Sequence, residues 1–414
     1  MSAVAPVDET VRPHQDRALL LFLVARVVAV AGSAVTGVAL PLLVLQLSGS
    51  AFLTALVAAG QVAPYLVFGL LAGAVADRVS RRRLMVAAQL VSALALASVP
   101  VAHATGLLTV GHLLAVAVVV ASSFVWFDAA AFGALPAIAG RERIVAANSL
   151  VWTTTTLVAI AAPALGGVLV AWLGAAPAVG LDALAYLLAT ATLMLIAVPF
   201  GPLTPRERSA PLRTDIVDGL RFVLRHPTVR DLTLVGVGNS VAGGAVTALL
   251  AVLADAGLAV DRDGRGYGVM LAVVAAGGFL AASALPWLSR RVPIGWLTLG
   301  GLGLGVPTTA GLAAVPAFPV ALVLLVGWAF ANTLVVLNGI ATRQRVTPDH
   351  LQARVNTTAR MIAWGGAPVG AVAAGLVAEL RDVPTALAGA AAVLAATVLL
   401  ATTTGLRRRD FGAC

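Results

Sequence analysis

The chain has 414 residues, of which 60% are hydrophobic and 11% are charged, and its mean hydropathy is +0.99. A soluble protein carries about 25% charged residues, so this chain has too few polar side chains to cover a surface that faces water. We therefore predict a membrane protein. The net charge of +9 comes from arginine alone, in short clusters between apolar runs, which argues against a nucleic-acid partner. Because no lysine occurs, the G-K-[ST] motif of ATP-driven motors is excluded.

Residues 1–17 contain acidic side chains and lack a small-residue cleavage site after a short apolar segment, so we expect a retained cytoplasmic tail rather than a signal peptide. Segments long enough to cross a bilayer, about 20 apolar residues each, follow this tail. We place twelve of them, at 18–43, 51–76, 84–104, 108–132, 148–172, 177–199, 230–254, 267–288, 293–315, 317–340, 356–379 and 384–406.

The arginines fall almost entirely in the loops on one side of these spans. Those loops contain Arg12, Arg17, Arg78, Arg81, Arg82, Arg83, Arg141, Arg143, Arg206, Arg208, Arg213, Arg221, Arg225, Arg230, Arg290, Arg291, Arg343, Arg345, Arg354 and Arg407 to Arg409. The opposite loops hold only Arg262, Arg265 and Arg381. An excess of arginine marks the cytoplasmic side, so we predict a multi-pass protein of the inner (cytoplasmic) membrane with both termini in the cytoplasm.

The longest polar interval divides the spans into two sets of six. The predicted units are an N-terminal bundle at 18–200, a cytoplasmic central loop at 201–229, a C-terminal bundle at 230–406 and a cytoplasmic tail at 407–414. Within the central loop, Ile216, Leu220 and Val223 recur at helical spacing opposite arginines, which predicts an amphipathic helix. This helix lies either on the inner leaflet or against the protein's own cytoplasmic surface.

The two halves repeat each other's sequence features. "IAAPALGGVLVAW" in the fifth span matches "GGAPVGAVAAGLVAE" in the eleventh, and the loop "DRVSRRR" after the second span has a degraded counterpart, "LSRRVP", after the eighth. Corresponding breaks in two halves are typical of secondary transporters built from repeats. The Gly-x-x-x-Asp-Arg-x-x-Arg-Arg loop, the proline with paired glycines and the long central loop together resemble the major facilitator superfamily over essentially the whole chain.

Finer segments resemble the bacterial efflux branch of that superfamily, which includes enterobactin and macrolide exporters. They are "ALPLLVLQLSGSAFLTALV", "GRERIVAANSL", "GLRFVLRHPTVRDL", "GYGVMLAVVAAGGFLA" and "PDHLQARVNTTARMIAWGGAPVG". The resemblance implies an all-α membrane protein in which twelve transmembrane helices form two pseudo-symmetric six-helix bundles. In that fold the bundles rock about a central cavity, usually powered by proton antiport.

The resemblance also implies a conformational latch in the loop after the second span. In the family, the loop aspartate contacts a helix end and an arginine across the two bundles, which holds the outward-facing state closed at the cytoplasm. The matching residues here are Gly69, Gly73, Asp77, Arg78, Arg81 and Arg82. Gly69 and Gly73 form a small-xxx-small pair that permits close helix approach. The alternative for the arginines is that they fix the topology and contact anionic lipid.

Three ionisable residues within spans are candidates for proton coupling or for a charge in the cavity. Arg26 lies roughly 12 Å into the first span and Asp128 at a similar depth in the fourth, so we predict that they form an ion pair. Asp182, like Glu379, lies near the outer end of its span, where a carboxylate can relay protons or attract cations. The alternatives are that Arg26 snorkels to the headgroups, that Asp128 caps a short helix, and that Asp182 lies at the water boundary.

Other polar, aromatic and helix-breaking residues complete the candidate sites. Pro163 with Gly166 and Gly167, and Pro368 with Gly370, break or thin the fifth and eleventh helices. In the family, the fifth-span motif is associated with exporters and with the bundle interface. Possible substrate contacts are Gln61, Trp126, Asn239, Asn332, Asn338 and Trp364. Hydrogen bonding between helices and anchoring of aromatic rings at the membrane interface are the alternatives.

These features predict a proton-coupled exporter of an amphipathic small molecule, of the drug or siderophore class, that acts by alternating access as a monomer among membrane lipids. The sequence contains no catalytic cluster and no metal-ligand spacing, so we expect no enzyme, metal site or cofactor. Uptake of a metabolite is a rival function, although it predicts a cavity richer in charge. A lipid flippase of the same fold is a second rival, and headgroup-dependent lipid movement would distinguish it.

Overall fold

The structure is a computed structural model that describes residues 13–76, 79–140, 143–197, 220–257, 265–315, 317–348 and 352–408. Every long regular element within these ranges is an α-helix. The helices are α1 Pro13–Ser48, α2 Ala51–Ala76, α3 Arg81–Ala104, α4 Val110–Ala139, α5 Ile144–Leu173, α6 Ala175–Met194, α7 Pro227–Val252, α8 Arg265–Leu288, α9 Ile294–Ala313, α10 Phe318–Val346, α11 Gln352–Trp364, α12 Gly366–Leu380 and α13 Val383–Thr403.

Each of the twelve predicted spans corresponds to helical structure. Among the described residues, eleven helical segments are long and apolar enough to cross a membrane. The remaining span is α9, whose apolar character is diluted by repeated glycines and Pro307, yet which packs between α10 and α13. The eleventh span is divided at Gly365 into α11 and α12. The predicted all-helical fold is therefore confirmed.

Consecutive spans run in opposite directions, so the bundles have two distinct ends. We call one end the basic side, because it carries the described arginines Arg81, Arg143, Arg290 and Arg345 at or beside helix ends. The other end is called the opposite side. Large apolar residues remain exposed on the outside of the helices, for example Leu94, Trp172 and Val323, as expected for helices whose outer faces contact lipid.

Part of the predicted amphipathic segment packs on the protein itself. Residues 220–225 are helical, and Val223 is buried against Val229, Val355 and Ala359. Leu220 and Leu224 remain exposed beside this contact. The segment thus has one face on the second bundle and one face available to a membrane surface, while Ile216 lies outside the described residues.

The two bundles meet chiefly through two helix pairs, α2 with α12 and α5 with α8, and α2 also contacts α7 and α11. At the opposite side, a Glu379 carboxylate oxygen accepts hydrogen bonds from Ser50 Oγ at 3.1 Å and from the Ala51 N–H at 2.8 Å, where α2 begins. A carboxylate at a helix N-terminus is stabilised by the free N–H groups and by the helix dipole. Glu379 therefore joins the two bundles.

The α5–α8 pair relies on glycine. A β-carbon at Gly268 of α8 would stand 2.5 Å from the carbonyl oxygen of Pro163 and 3.0 Å from the Cα of Gly167. Gly166, on another face of α5, packs on the backbone of Val35 in α1, to which a β-carbon would come within 3.1 Å. Helix α5 continues through Pro163 without a break. The proline-glycine motif therefore permits close contact with α1 in its own bundle and with α8 in the other.

This close contact predicts that Gly268→Ala destabilises the protein. The added methyl group would force α5 and α8 apart, and overpacking of this kind costs about 1–3 kcal/mol. Gly300→Ala is the matched control, since a β-carbon at Gly300 meets no atom within 4 Å and alanine favours the helix by about 1 kcal/mol. Thermal unfolding of the purified proteins should show a lower midpoint for Gly268→Ala alone. Equal midpoints would contradict the proposed contact.

Candidate transport cavity

A cavity of about 710 Å³ lies between the two bundles. Helices α1 to α6 form most of its wall, and α8 and α10 complete it from the second bundle. The wall is mostly apolar. Its polar side chains come almost entirely from the first bundle: Arg26, Ser33, Thr36, Gln61, Gln89, Ser92, Ser123, Thr155, Thr156, Asp182 and Tyr186, with Thr333 from the second. Such a cavity suits a ligand with a large apolar surface and a few polar groups.

Arg26 and Asp128 lie next to each other in the first bundle. Arg26 Nη1 is 3.7 Å from Asp128 Oδ1, and the side chains are 20% and 45% exposed. The Arg26 guanidinium also lies over the ring of Phe127, 5.5 Å from its centroid. Arg26 lines the cavity, so its charge faces the transport space instead of reaching for the headgroups. The two charges that the sequence pairs are thus brought together, in a loose ion pair without a close hydrogen bond.

Asp182 is buried in the cavity wall and does not lie at the water boundary. It is the eighth residue of α6, roughly 10 Å along the helix from its start, and its exposed fraction is 0%. Neither carboxylate oxygen has a hydrogen-bond partner among the described residues. A side chain on Gly32 of α1 would overlap this carboxylate, so the glycine makes room for it. One residue on, Ser33 Oγ is hydrogen-bonded to Tyr186 Oη at 3.1 Å.

Two further cavity residues carry buried oxygen atoms without partners. They are Thr36 Oγ1, one helical turn beyond Gly32, and Gln89 Oε1 in α3, whose side chain is 2% exposed. An unsatisfied buried polar group costs about 1–3 kcal/mol, so these atoms are available to bind a hydrogen-bond donor. Neither residue is predicted from the sequence to line a cavity, and nor is Tyr186. Gln89 could have been found by the criterion that selected Gln61, an isolated amide within an apolar span.

The predicted substrate contacts are divided among several sites. Gln61 lines the main cavity. Asn332 and Trp364 line a second cavity of about 320 Å³, and Asn239 Nδ2 donates to Asn332 Oδ1 at 2.8 Å. Trp126 packs against the ring of Phe68, with centroids 5.9 Å apart.

Asn338 makes structural hydrogen bonds and does not line the transport cavity. It is buried, and its Nδ2 donates to the Ile294 carbonyl oxygen and to Thr298 Oγ1, both at 2.9 Å.

Arg343, which the sequence places in a basic loop, lies in the last turn of α10 and is 5% exposed. Helix α10 extends beyond its apolar run, because the polar residues that follow this run are also helical.

An arginine of the second bundle contacts aromatic rings of both bundles. The guanidinium of Arg360 lies 4.7 Å from the ring centroid of Tyr65 in α2 and 5.2 Å from that of Trp364. The two rings are themselves 5.5 Å apart. This group therefore links α2 to α11.

The residues of the predicted latch are only partly described. Asp77, Arg78 and the surroundings of Gly73 lie outside the described residues. Arg81 Nη1 donates to the Gly133 carbonyl oxygen at 2.7 Å, and Arg82 donates to the carbonyl oxygen of Met194. Both bonds connect α3 to other helices of the first bundle. A β-carbon at Gly69 would contact the ring of Tyr65 in its own helix at 3.5 Å.

The second helix-breaking motif lies at a tight contact within the second bundle. Gly370 packs so closely on α7 that a side chain would overlap the backbone of Val241. A side chain on Gly244 would likewise overlap the Ala367 carbonyl. Pro368 lies in the first turn of α12, where a proline is tolerated because the first N–H groups of a helix have no partner in it. The motif therefore marks the start of α12 and its packing on α7.

Two six-helix bundles that enclose an apolar cavity with buried polar groups define a membrane transporter with the major facilitator fold. One solved structure with this fold is a bacterial homologue of the human lysosomal transporter Spinster, in an inward-facing and occupied conformation. It is 17% identical, with a TM-score of 0.76 over 96% of this chain and 99% of the other. The nucleoside transporter NupG is 13% identical, with a TM-score of 0.75 over 96% and 100%. At this identity the similarity concerns the fold.

The chain belongs to the family of transmembrane secretion effectors, whose model matches residues 8–412. The multidrug efflux pump Tap of Mycolicibacterium fortuitum is 32% identical over 372 residues, which are 87% of this chain and 89% of that protein. The enterobactin exporter EntS of Escherichia coli is 30% identical over 278 residues, which are 66% and 64% of the two chains. The predicted family is confirmed, and its members are transporters rather than enzymes.

The Arg26–Asp128 contact predicts that exchanging the two charges restores function lost in single variants. Arg26→Asp or Asp128→Arg alone would place two like charges about 4 Å apart, whereas the double exchange recovers an attractive pair. We expect each single variant to lose most dye efflux and the double variant to regain part of it. Stability should change little, since partly exposed ion pairs contribute about 0–1 kcal/mol. If the double variant is no more active than the singles, the two residues act separately.

Proposed function

We propose that this protein is a proton-coupled exporter of amphipathic small molecules that works by alternating access. The observation that carries the proposal is the buried carboxylate of Asp182 in the wall of an otherwise apolar cavity of about 710 Å³. The apolar wall provides a site for hydrophobic ligands, and the carboxylate provides a group whose charge can change during the cycle. The expected location is the cytoplasmic membrane, with the arginine-rich side and both termini in the cytoplasm.

Export is the direction that the relatives support. One relative is named a multidrug efflux pump and another an enterobactin exporter. The apolar cavity fits the amphipathic substrates expected of such proteins, and charged side chains are few among its lining residues. A transporter for a sugar or an anionic metabolite would need more charged or hydrogen-bonding groups than this wall offers.

Alternating access is supported by how the bundles touch. The contacts of Glu379 with the start of α2 and of Gly268 with α5 lie toward the opposite side. The cavity extends into the basic half, where Arg26 and Trp152 line it. This arrangement corresponds to an inward-facing state in which the cavity receives substrate from the cytoplasm. Separation of the α2–α12 and α5–α8 pairs would then release the substrate on the opposite side.

Asp182 is better suited than Asp128 to bind the coupled proton. Its carboxylate is buried and, among the described residues, has only a long-range interaction with the Thr36 hydroxyl as donor, so an ionised form is stabilised poorly in this state, and a bound proton removes the charge. Asp128 is half exposed and lies beside Arg26, which stabilises its ionised form. Because Asp182 packs against Gly32 of α1, ionisation would favour a movement between α1 and α6 that brings solvent or a cationic substrate group to the carboxylate.

The proposal predicts that Asp182→Asn abolishes proton-coupled efflux while folding is preserved, because asparagine has the same size but cannot carry the proton. Cells that produce the native protein should extrude an amphipathic dye, and a protonophore should stop this extrusion. Asp182→Asn should lower the rate at least tenfold with unchanged abundance in the membrane, and Asp128→Asn should lower it less. Native efflux that resists a protonophore would refute the coupling.

The contact between Gly32 and Asp182 yields a second prediction with a matched control. Gly32→Ala would press a methyl group against the carboxylate and should reduce both stability and efflux, at a cost of about 1–3 kcal/mol from overpacking. Gly37→Ala on the same helix is the control for stability and should keep the native melting temperature, since a β-carbon there points into the cavity and meets no atom within 4 Å. Adding Asp182→Ala to Gly32→Ala should restore part of the melting temperature but not the efflux, because the added β-carbon would still stand 2.7 Å from the β-carbon of Ala185. Recovery of efflux in that double variant would show that the carboxylate is dispensable.

A further inference from the structure

A separate cleft of about 360 Å³ opens at the basic side of the second bundle, between the ends of α8 and α10 and the start of α9. Two arginines from different helices line it, Arg290 just after α8 and Arg345 in the last turn of α10. None of its lining residues lines the transport cavity. The cleft therefore needs an explanation of its own.

The chemistry of the cleft favours an anion with an apolar attachment. Leu285, Pro286 and Ile294 provide an apolar wall, and none of the described residues that line the cleft is acidic. Within the part of the chain that the structure describes, neither Arg290 nor Arg345 takes part in an ion pair.

The polar residues on the floor of the cleft are bonded within the protein. Asn338 Nδ2 donates to the Ile294 carbonyl oxygen at 2.9 Å, and Thr342 Oγ1 donates to the Asn338 carbonyl oxygen at 2.8 Å. The two guanidinium groups at the rim, both exposed to solvent, are therefore the charged donors left for a ligand.

The internal repeat gives Arg290 a counterpart in the first half, Arg81, whose guanidinium has a hydrogen-bond acceptor within the protein. Ser289-Arg290-Arg291 in the loop after the eighth span corresponds to Ser80-Arg81-Arg82 after the second. In the first half, the Arg81 guanidinium donates to the Gly133 carbonyl oxygen of α4 at 2.7 Å. In the second half, the corresponding Arg290 faces the cleft beside α10, the counterpart of α4. An external group with acceptor oxygens would supply the contact that the protein itself supplies in the first half.

The position of the cleft identifies the source of that group. Trp287, which is 56% exposed, adjoins the cleft, and the guanidinium of Arg291 lies 4.2 Å from its ring centroid. Exposed tryptophan and arginine at a helix end are typical of the membrane–water interface, so the cleft lies at the depth of lipid headgroups. Basic pockets between membrane helices bind anionic lipid headgroups, and arginine binds phosphate oxygens in bidentate fashion.

We propose that this cleft binds the phosphate of an anionic phospholipid, with the guanidinium groups of Arg290 and Arg345 on its oxygens and the acyl chains against Leu285 and Pro286. A volume of about 360 Å³ accommodates a headgroup and its glycerol, while the chains remain in the bilayer. The lipid would connect the ends of α8 and α10 and so stabilise the second bundle. The proposal is independent of the substrate and of proton coupling.

The test uses the full chain, purified in detergent, with phosphatidylglycerol as the probe. Native mass spectrometry measures the bound lipid, and thermal unfolding measures the stabilisation. We expect phosphatidylglycerol to bind the native protein and to raise its melting temperature. The double variant Arg290→Gln with Arg345→Gln should bind it at least tenfold more weakly. Arg291→Gln is the matched control, because it removes an adjacent arginine that does not line the cleft.

Three results would overturn the proposal. One is equal lipid binding by the double variant and the native protein. Another is an equal loss in Arg291→Gln, which would indicate attraction to general surface charge. The third is stabilisation by inorganic phosphate as large as that by the lipid, which would indicate a site for soluble anions. Arg290→Lys with Arg345→Lys retains the charge but not the bidentate geometry, so intermediate binding by this variant supports the assigned contact and guards against misfolding of the glutamine variant.

Discussion

A polar group inside a bilayer must find its partner within the protein, because the hydrocarbon offers none. Most of this chain obeys that constraint. Its backbone forms helices, threonine hydroxyls in the spans donate to carbonyl oxygens one turn back, as Thr190 and Thr342 do, and Asn338 bonds to α9. Among the described residues, the exceptions on the cavity wall are atoms of Asp182, Thr36 and Gln89, together with Nε of Arg26. Since an unsatisfied polar group destabilises the fold, these exceptions are explained best by a role that the resting contacts do not fulfil.

The same constraint shapes the interface between the bundles. Under the proposed alternating access the interface would have to open and close, which deeply interlocked side chains would hinder, and here close approach is achieved by glycine. Gly268 meets Pro163 and Gly167, and a β-carbon at Gly375 would stand 2.5 Å from the β-carbon of Ala55. Flat helix surfaces can separate without rearranging rotamers. The hydrogen bonds of Glu379 to the start of α2 then add a polar contact that water can replace once the opposite side opens.

The depth of a residue along its helix could be predicted from the sequence. The side of the helix that faces a given neighbour could not. Apolar length and arginine placement located all twelve spans, and equal depth suggested that Arg26 and Asp128 meet, as they do at 3.7 Å. Asp182 was placed near a helix end by the same reasoning. Its burial depends on the face of α6 that meets Gly32, and an apolar helix with weak amphipathicity does not reveal that face. Arg343 was assigned to a loop because hydropathy falls before the helix ends, whereas Gln89 is an isolated amide within an apolar span, as Gln61 is, and could have been predicted.

The repeated halves have diverged in charge. The first bundle buries the carboxylate of Asp182, whereas the second buries both Asp231 and Arg343 and holds Arg360 against the rings of Tyr65 and Trp364. A cation over an aromatic face contributes about 0.5–2 kcal/mol and tolerates small changes of angle. A contact of this strength can hold α2 against α11 in one state and yet be broken by thermal motion or by ligand binding. Arg360 is the ninth residue of α11, roughly 12 Å from the start of that helix at the basic side, so this contact joins the bundles in the basic half, where the proposed rocking movement would change the distance between them.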